Sequence, residues 1–316
     1  MIKKINKFFP IIGAVVFLYL LTRLDFSLIK SIFFQINYFY FLIAFIILIP
    51  FYLMKVYRWK LIMKIQGINY SFKNSVLVHS IGIFWGVITP AKSGDLIKAL
   101  YLKKDGHSWG KSFFNVFLDR LLDIGFLIIF GYLSLFLFFN LFQKTIFNFS
   151  ILLAVLIIVS FFLIKNRNYE RIFRKIFYKF VPENHQTSWK LNYQDFINEI
   201  KRYKIKDYLK IILITLLSWF LFYLIVYFLA LGVNIKEVPF WVYPAAVTLA
   251  SLASMLPISF SGIGTRDVVF ILIFSQFGII FEKTITLSFM VLLSFVAVAL
   301  FGLICSFFKP LNRSIQ

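Results

Sequence analysis

The sequence predicts an all-α membrane protein that crosses the bilayer several times. Of its 316 residues, 61% are hydrophobic and 21% are aromatic, and the mean hydropathy is +0.86. Soluble domains seldom exceed about half apolar residues. Several runs of about fifteen or more residues carry almost no charge. Such runs are typical of transmembrane helices and differ from the alternating strands of a membrane β-barrel.

Six apolar runs are predicted as transmembrane helices. Their approximate bounds are Phe8–Thr22, Tyr38–Tyr57, Val116–Asn140, Ile146–Ile164, Leu209–Leu231 and Ile285–Phe308. The first run follows a basic start, as in a signal peptide, but no small-residue cleavage site comes after it, so we expect an uncleaved helix. The connection Lys165–Asp207 is basic and partly amphipathic, which favours a position on the membrane surface.

Two further apolar segments are interrupted before they are long enough to cross the bilayer. Pro90 and Gly94 interrupt the first, 72–102, after an apolar part equivalent to roughly 22 Å of helix, whereas the hydrocarbon core is about 30 Å thick. Pro257 and two glycines interrupt the second, 240–281. Broken helix at membrane depth is tolerated only against protein or a watery cavity. We therefore predict two re-entrant helical hairpins, called here the first and second hairpins.

Other structures are open for both segments. The first hairpin has an alternative as a buried helix followed by an amphipathic surface helix. The second has an alternative as two complete transmembrane helices.

The distribution of charge predicts the orientation. The net charge is +21, from 34 Lys and Arg against 13 Asp and Glu. A basic excess indicates nucleic acid or an anionic membrane, but cytoplasmic loops rich in Lys and Arg explain it more simply, so no nucleic-acid partner is expected. A cytoplasmic N-terminus assigns 28 basic residues to cytoplasmic segments and five to outer loops. We expect a multi-pass protein of the cell membrane with both termini in the cytoplasm.

The two hairpins resemble each other in sequence. Each has an apolar run, a proline, Ser-Gly, an acidic residue near a basic one and a short helix, and Pro90 and Pro257 are 167 positions apart. Each half of the single membrane domain, 1–316, then has three transmembrane helices and one hairpin: repeat 1 covers about 1–140 and repeat 2 about 141–316. An odd number of crossings inverts the second repeat. Many secondary transporters build a central site between inverted repeats.

The hairpin tips are the predicted binding site. Ser93 is expected to cap the helix that carries Asp95 and Lys98, and Thr265 the helix that carries Arg266 and Asp267. Helix N-termini beside Lys92, Lys98 and Arg266 favour an anion such as a lipid phosphate. The predicted substrate-binding residues are Pro90, Ser93, Gly94, Asp95, Lys98, Asp119, Arg120, Asp123, Pro257, Ser261, Gly262, Gly264, Arg266 and Asp267.

Several of these residues also have structural explanations. Asp119, Arg120 and Asp123 are close enough on one helix to form an intrahelical ion pair at the membrane edge. Arg266 and Asp267 have an alternative as a mutually satisfied pair. Arg58 and Trp59 are interpreted as an anchor at the membrane interface.

The sequence shows no sign of a cofactor or metal. The single cysteine, Cys305, excludes an intrachain disulfide, and the three histidines are too scattered for a zinc site. His79 lies in an apolar run and is expected in the core. No activated nucleophile or nucleotide-binding loop is evident, so no enzymatic activity is expected.

Four motifs in order resemble a known family. They are RWKLIMKIQG, Pro-x-x-x-Gly-acid-x-x-base, DRLLD and Pro-x-x-x-Ser-Gly-Ile-Gly-x-Arg-acid. Together they resemble the lysylphosphatidylglycerol synthase transmembrane-region family, a flippase-like domain, over nearly the whole chain. This chain has Asp95, Asp119 and Asp267 where that family usually has Glu, and Lys98 where it usually has Arg. The shorter acids bear on the identity of the substrate.

The resemblance implies a translocase for an anionic phospholipid or a lipid-linked sugar. Two alternatives are an accessory membrane subunit of a lipid- or glycan-modifying enzyme and the membrane part of an aminoacyl-phosphatidylglycerol synthase. The expected partners are a phospholipid or lipid-linked glycan substrate, membrane lipids and, in the second case, a glycosyltransferase or synthase. The sequence does not indicate an oligomeric state.

Overall fold

The computed structural model describes residues 25–138, 186–256 and 261–310, with the isolated positions 22, 143 and 147. Within these ranges every regular element is helical, which confirms the all-α fold class. The predicted first and fourth transmembrane helices, the first part of the connection (165–185) and Pro257 lie outside the described residues, apart from the isolated positions given above.

Ten α-helices are described. Their bounds are α1 Phe26–Phe34, α2 Tyr38–Ile65, α3 Phe72–Ile88, α4 Ile97–Lys104, α5 Trp109–Leu137, α6 Gln186–Arg202, α7 Ile205–Gly232, α8 Val242–Met255, α9 Thr265–Phe274 and α10 Phe281–Phe308. Two 3₁₀ segments, Pro90–Leu96 and Ser275–Phe277, precede α4 and follow α9. Helices α2, α5, α7 and α10 have 28 or 29 residues each and are apolar enough to cross a membrane. The chain is therefore a multi-pass membrane protein.

Both interrupted segments fold as helical hairpins. In the first, α3 packs against the 3₁₀ segment that follows it; in the second, α8 packs against α9. The first helices of the two hairpins have 17 and 14 residues. These lengths correspond to about 25 and 21 Å, less than the roughly 30 Å of a hydrocarbon core.

Local geometry explains where the first hairpin turns. Thr89 has extended backbone directly before Pro90, which ends α3. The Thr89 hydroxyl donates to the carbonyl of Trp85 and accepts from the N–H of Gly94, both at 2.7 Å. A Cβ at Gly94 would collide with the Trp85 carbonyl, so this turn requires glycine.

The second hairpin turns through left-handed backbone. Ser261, Gly262 and Gly264 have φ values of 48°, 79° and 84°. A Cβ at Gly262 would also collide with the side chain of Ser254 on α8. The two glycines therefore allow the backbone conformation of this turn, which explains their position between α8 and α9.

Each hairpin packs against a long helix from the other half of the chain. The central pair is α2 with α7, while α3 lies along α10 and α8 lies along α5. Gly302 of α10 is so close to the backbone of Ser80 that an added Cβ would collide with its carbonyl. Gly131 of α5 is equally close to the side chain of Leu252 on α8. Through this exchange of partners between the two halves, the helices surround a central cavity.

Helix α6 covers one end of α5. Its Phe196 contacts Phe113, Phe114 and Phe117, with ring centroids 5.2–6.3 Å apart. Beside this aromatic contact, Arg202 donates to the backbone carbonyl of Gln66 at 2.7 Å. The amphipathic character predicted for this region thus corresponds to a helix that is partly packed on the protein.

Candidate functional site

Arg58 of α2 lies at the centre of a buried ion-pair network. Its guanidinium binds Asp123 bidentately, with both N–O distances 2.9 Å, and its Nε donates to Asp119 at 2.9 Å. Its Nη1 also donates to the hydroxyl of Thr215 on α7 at 3.1 Å. The residue is 1% exposed. One side chain therefore joins α2, α5 and α7.

The network continues into the first hairpin. Lys98 lies between Asp95 and Asp119, with its Nζ 2.8 and 2.9 Å from their carboxylates. Arg120 binds the same Asp95 at 2.6 Å. On α2, Lys55 binds Asp123 at 2.6 Å. These ion pairs hold the returning leg of the first hairpin against α5.

A second polar cluster lies at the start of α9. Arg266 contacts Asp267 at 3.1 Å and donates through Nε to Ser288 of α10 at 2.7 Å. Ser288 donates in turn to Asp267, which also accepts from the N–H of Gly264 at 2.8 Å. Within the described residues, Nη1 of Arg266 is buried and has no hydrogen-bond partner.

A cavity of about 160 Å³ separates the two clusters. Helices α2, α3, α5, α7, α8, α9 and α10 all contribute to its wall. Most of the lining is aliphatic or aromatic, and the charged lining residues are Lys55, Arg58, Lys92, Arg120, Arg266, Asp119 and Asp123. The cavity thus combines an apolar wall with an excess of positive charge.

The hairpins meet at the cavity wall. The Ser261 hydroxyl, at the tip of the second hairpin, donates to the carbonyl of Val87 on α3 at 2.7 Å. Lys92, in the 3₁₀ segment of the first hairpin, has a φ of 55° and places its Nζ 5.3 Å from the ring centre of Phe295 on α10. Both residues line the cavity.

The structure gathers most of the predicted site residues but assigns them different roles. Asp95, Lys98, Asp119, Arg120 and Asp123 belong to the first network. Arg266, Asp267 and Gly264 form the second cluster, and Ser261 lines the cavity between them. Pro90 begins the 3₁₀ segment, while Gly94 and Gly262 permit the two turns.

The two predicted helix caps are wrong. Ser93 is exposed, and neither the 3₁₀ segment nor α4 has a side-chain cap. Helix α9 begins after Gly264, and the carboxylate of Asp267 satisfies the N–H at its start in place of Thr265. In both hairpins the chain passes through turns before the helix begins, which moves the cap position away from the predicted residue.

The prediction that Arg58 and Trp59 form an interface anchor is also wrong. They are 1% and 0% exposed. The predicted helix ended at Tyr57, whereas α2 continues to Ile65 and directs both side chains into the protein. Trp59 packs beneath Lys98, whose Nζ is 5.5 Å from its ring centre.

The ion pairs run between helices rather than along α5. Asp119 and Asp123, four residues apart, share the face that meets Arg58. Arg120 binds Asp95 in place of its neighbours on α5. The intrahelical alternative is therefore wrong for these residues. His79 is buried, as expected, although it also lines the cavity.

Some residues of the site were not among those predicted from the sequence. Lys55 is one of the 28 basic residues that the charge distribution places in cytoplasmic segments, and no binding role was predicted for it. The matching three- and four-residue spacings of Lys55 with Arg58 and of Asp119 with Asp123 are nevertheless a signal of two complementary helix faces. Trp219, whose indole N–H donates to Asp123 at 3.3 Å, and Ser288 had no such signal, because single polar groups in apolar helices are common.

Comparison with known proteins agrees with this architecture. Residues 9–305 match the family described as the lysylphosphatidylglycerol synthase TM region. The chain belongs to this family. The resemblance noted from the four motifs is thereby confirmed.

Curated relatives are archaeal membrane proteins. A UPF0104 membrane protein of Methanocaldococcus jannaschii is 29% identical, over 76% of this chain and 75% of the relative. One of Archaeoglobus fulgidus is 24% identical over 84% of each chain, and one of Pyrococcus horikoshii is 26% identical over 73% of this chain and 74% of the relative. No solved structure matches the chain.

Proposed function

We propose that this member of the lysylphosphatidylglycerol synthase TM-region family moves an anionic lipid across the membrane. The observation that carries the proposal is the cavity between the two hairpins, which has five cationic side chains and two carboxylates in an otherwise largely apolar wall. Charged groups inside a membrane protein are costly and usually functional. A lipid headgroup with its phosphate would match the cations, and its apolar part would match the remaining wall.

The ion pairs have a supporting role in this proposal. Asp119 and Asp123 stabilise Arg58, while Asp95 stabilises Lys98 and Arg120. Buried cations without such partners would destabilise the fold. The carboxylates thus stabilise the cations around the cavity, and transport needs no covalent chemistry from the chain.

We further propose that the two hairpins belong to inverted repeats and enter the membrane from opposite sides. The partner exchange supports this: α3 packs on α10 as α8 packs on α5, with Gly302 and Gly131 at the two close approaches. With both termini in the cytoplasm of a cell-membrane protein, the first hairpin would close the cavity from inside and the second from outside. Movement of one half against the other would expose the cavity alternately.

The test is lipid translocation by the purified protein. We expect liposomes that contain it to move fluorescently labelled phosphatidylglycerol and phosphatidic acid between leaflets at least tenfold faster than protein-free liposomes, measured by quenching of the outer label. Lys92→Met should remove most of this activity, because it deletes a cavity cation that has no carboxylate within ion-pair distance among the described residues.

Lys60→Met is the matched control. Lys60 also places its Nζ over an aromatic ring, 5.6 Å from the centre of Phe72, but it does not line the cavity. It should keep wild-type activity. Wild-type liposomes no faster than empty ones would refute the proposal and favour an accessory role beside an enzyme. Equal activity of Lys92→Met and wild type would show that the cavity is not the route.

A further inference from the structure

The charges around the cavity do not balance. The charged residues that line it, together with their ion-pair partners, comprise six cations and four carboxylates. The cations are Lys55, Arg58, Lys92, Lys98, Arg120 and Arg266, and the carboxylates are Asp95, Asp119, Asp123 and Asp267. In the described part of the chain, the groups around the cavity therefore carry two more positive than negative charges. Buried charge needs compensation, which a ligand with two negative charges would supply.

The uncompensated donors are located at specific cavity residues. Arg58, Lys55 and Arg120 direct their donors at carboxylates. Arg266 instead leaves Nη1 without a partner in the described part of the chain, although the residue is 5% exposed. The described contact of the Lys92 ammonium is the ring of Phe295, and the buried Nδ1 of His79 also lacks a partner there. These three residues all line the cavity.

The cavity is large enough for a phosphate group. Its volume of about 160 Å³ is close to that of an engineered cavity of about 150 Å³ that binds benzene in another protein. A single phosphate group is no larger than benzene and therefore fits between these donors.

From the excess charge, the unpartnered donors and the volume together, we infer that the headgroup is a terminal phosphate, a phosphomonoester at the end of an apolar chain. Lys92 and Arg266 are its principal ligands, with His79 as a further hydrogen-bond donor. A phosphomonoester carries between about −1.5 and −2 charge at neutral pH because its second pKa is about 6, whereas a phosphodiester carries one negative charge. The inference rests on the proposed function, since it assumes that the cavity binds a lipid headgroup.

The test compares ligands that differ only at the phosphate. Dodecyl phosphate, its methyl diester and inorganic phosphate would be titrated into the full-length protein in a neutral detergent at pH 7.5 and low ionic strength, with calorimetric detection. We expect the monoester to bind at least tenfold more tightly than the diester, a difference of about 1.4 kcal/mol. Inorganic phosphate should bind at least tenfold more weakly than dodecyl phosphate, because it lacks the chain that contacts the apolar wall.

Variants at Lys92 identify the phosphate ligand. Lys92→Met should reduce the preference for the monoester to less than about threefold, Lys92→Arg should retain it, and Lys60→Met should leave it unchanged. Arg266 also stabilises the second hairpin through its ion pair with Asp267. We therefore choose Arg266→Lys, which keeps the positive charge, rather than a neutral substitution. It should weaken monoester binding while the protein stays folded.

The outcomes separate this inference from the proposed function. Equal affinity for monoester and diester, or a preference unaffected by Lys92→Met, would overturn the phosphomonoester while leaving anionic lipid transport intact. If inorganic phosphate bound as tightly as dodecyl phosphate, the site would recognise free phosphate. This result would contradict both the phosphomonoester lipid and the proposed lipid transport. No binding of any of the three probes would also contradict both.

Discussion

Replacement of Arg58 by methionine tests the central ion-pair network most directly. Methionine keeps much of the side-chain length but, among the described residues, leaves Asp119 and Asp123 with only Lys98 and Lys55 as cationic partners. The change removes the bidentate contact with Asp123, two contacts with Asp119 and the donation to Thr215. Two carboxylates then remain buried with fewer donors.

The expected loss of stability is large. Removal of one partner from a buried ion pair costs about 3–5 kcal/mol, since the remaining charge stays desolvated. Lys64→Met is the control: Lys64 lies on the same helix, is exposed and does not line the cavity. Its replacement should change the unfolding free energy by less than about 0.5 kcal/mol.

The assay is equilibrium unfolding of the purified proteins in detergent micelles, followed by tryptophan fluorescence. A double-mutant cycle with Asp123→Asn should give a coupling energy of about 0.5–3 kcal/mol, because the two side chains are in direct contact. If Arg58→Met were no less stable than Lys64→Met, the Arg58 side chain would not be buried against α5. Additive effects of Arg58→Met and Asp123→Asn would argue against the bidentate pair.

Two other predictions test a close contact between helices and the burial of Glu199. Gly302→Ala should lower the unfolding free energy by about 1–3 kcal/mol, because its Cβ would collide with the carbonyl of Ser80. Gly125→Ala is the control and should cause no such loss, because Gly125 faces open space on α5. Equal losses of stability in the two variants would exclude a close contact between α3 and α10. Burial raises the pKa of Glu199 above its ordinary value of 4.5. Glu199 therefore stabilises the fold while it is protonated, and this contribution falls as the pH rises through the raised pKa. The thermal midpoint of Glu199→Gln minus that of wild type should therefore increase as the pH rises from 4 to 8. A difference in midpoint that does not depend on pH would contradict the raised pKa of Glu199.

Several features of the fold follow from the sequence because they depend on local composition. Four of the six predicted transmembrane helices correspond to α2, α5, α7 and α10, since a long apolar run has no other way to satisfy its backbone within a membrane. The breaks at Pro90 and after α8 were also predictable. Pro90 ends α3 through the restricted backbone before it, and Gly262 supplies left-handed backbone that other residues rarely adopt.

The partners of the charged side chains were much less predictable. Local spacing made an intrahelical contact of Arg120 plausible, yet its partner is Asp95, 25 positions away. Arg58 and Trp59 followed a predicted helix end and had the composition of an interface anchor, but the helix continues past them. Register and rotation of a helix depend on the surface that it packs against, and that surface is distant in the sequence.

By itself, the sequence determined the helical class, most of the described crossings, the hairpin breaks and the membership of the family, because periodicity, chain breakers and motif order are local properties. Only the tertiary structure decided which cations are neutralised by carboxylates and which face the cavity. That decision required α2, α5 and the first hairpin to meet on one side and α9 with α10 on the other. Asp95 and Asp267, similar residues in similar motifs, have different partners because the returning leg of the first hairpin packs on α5 and that of the second packs on α10.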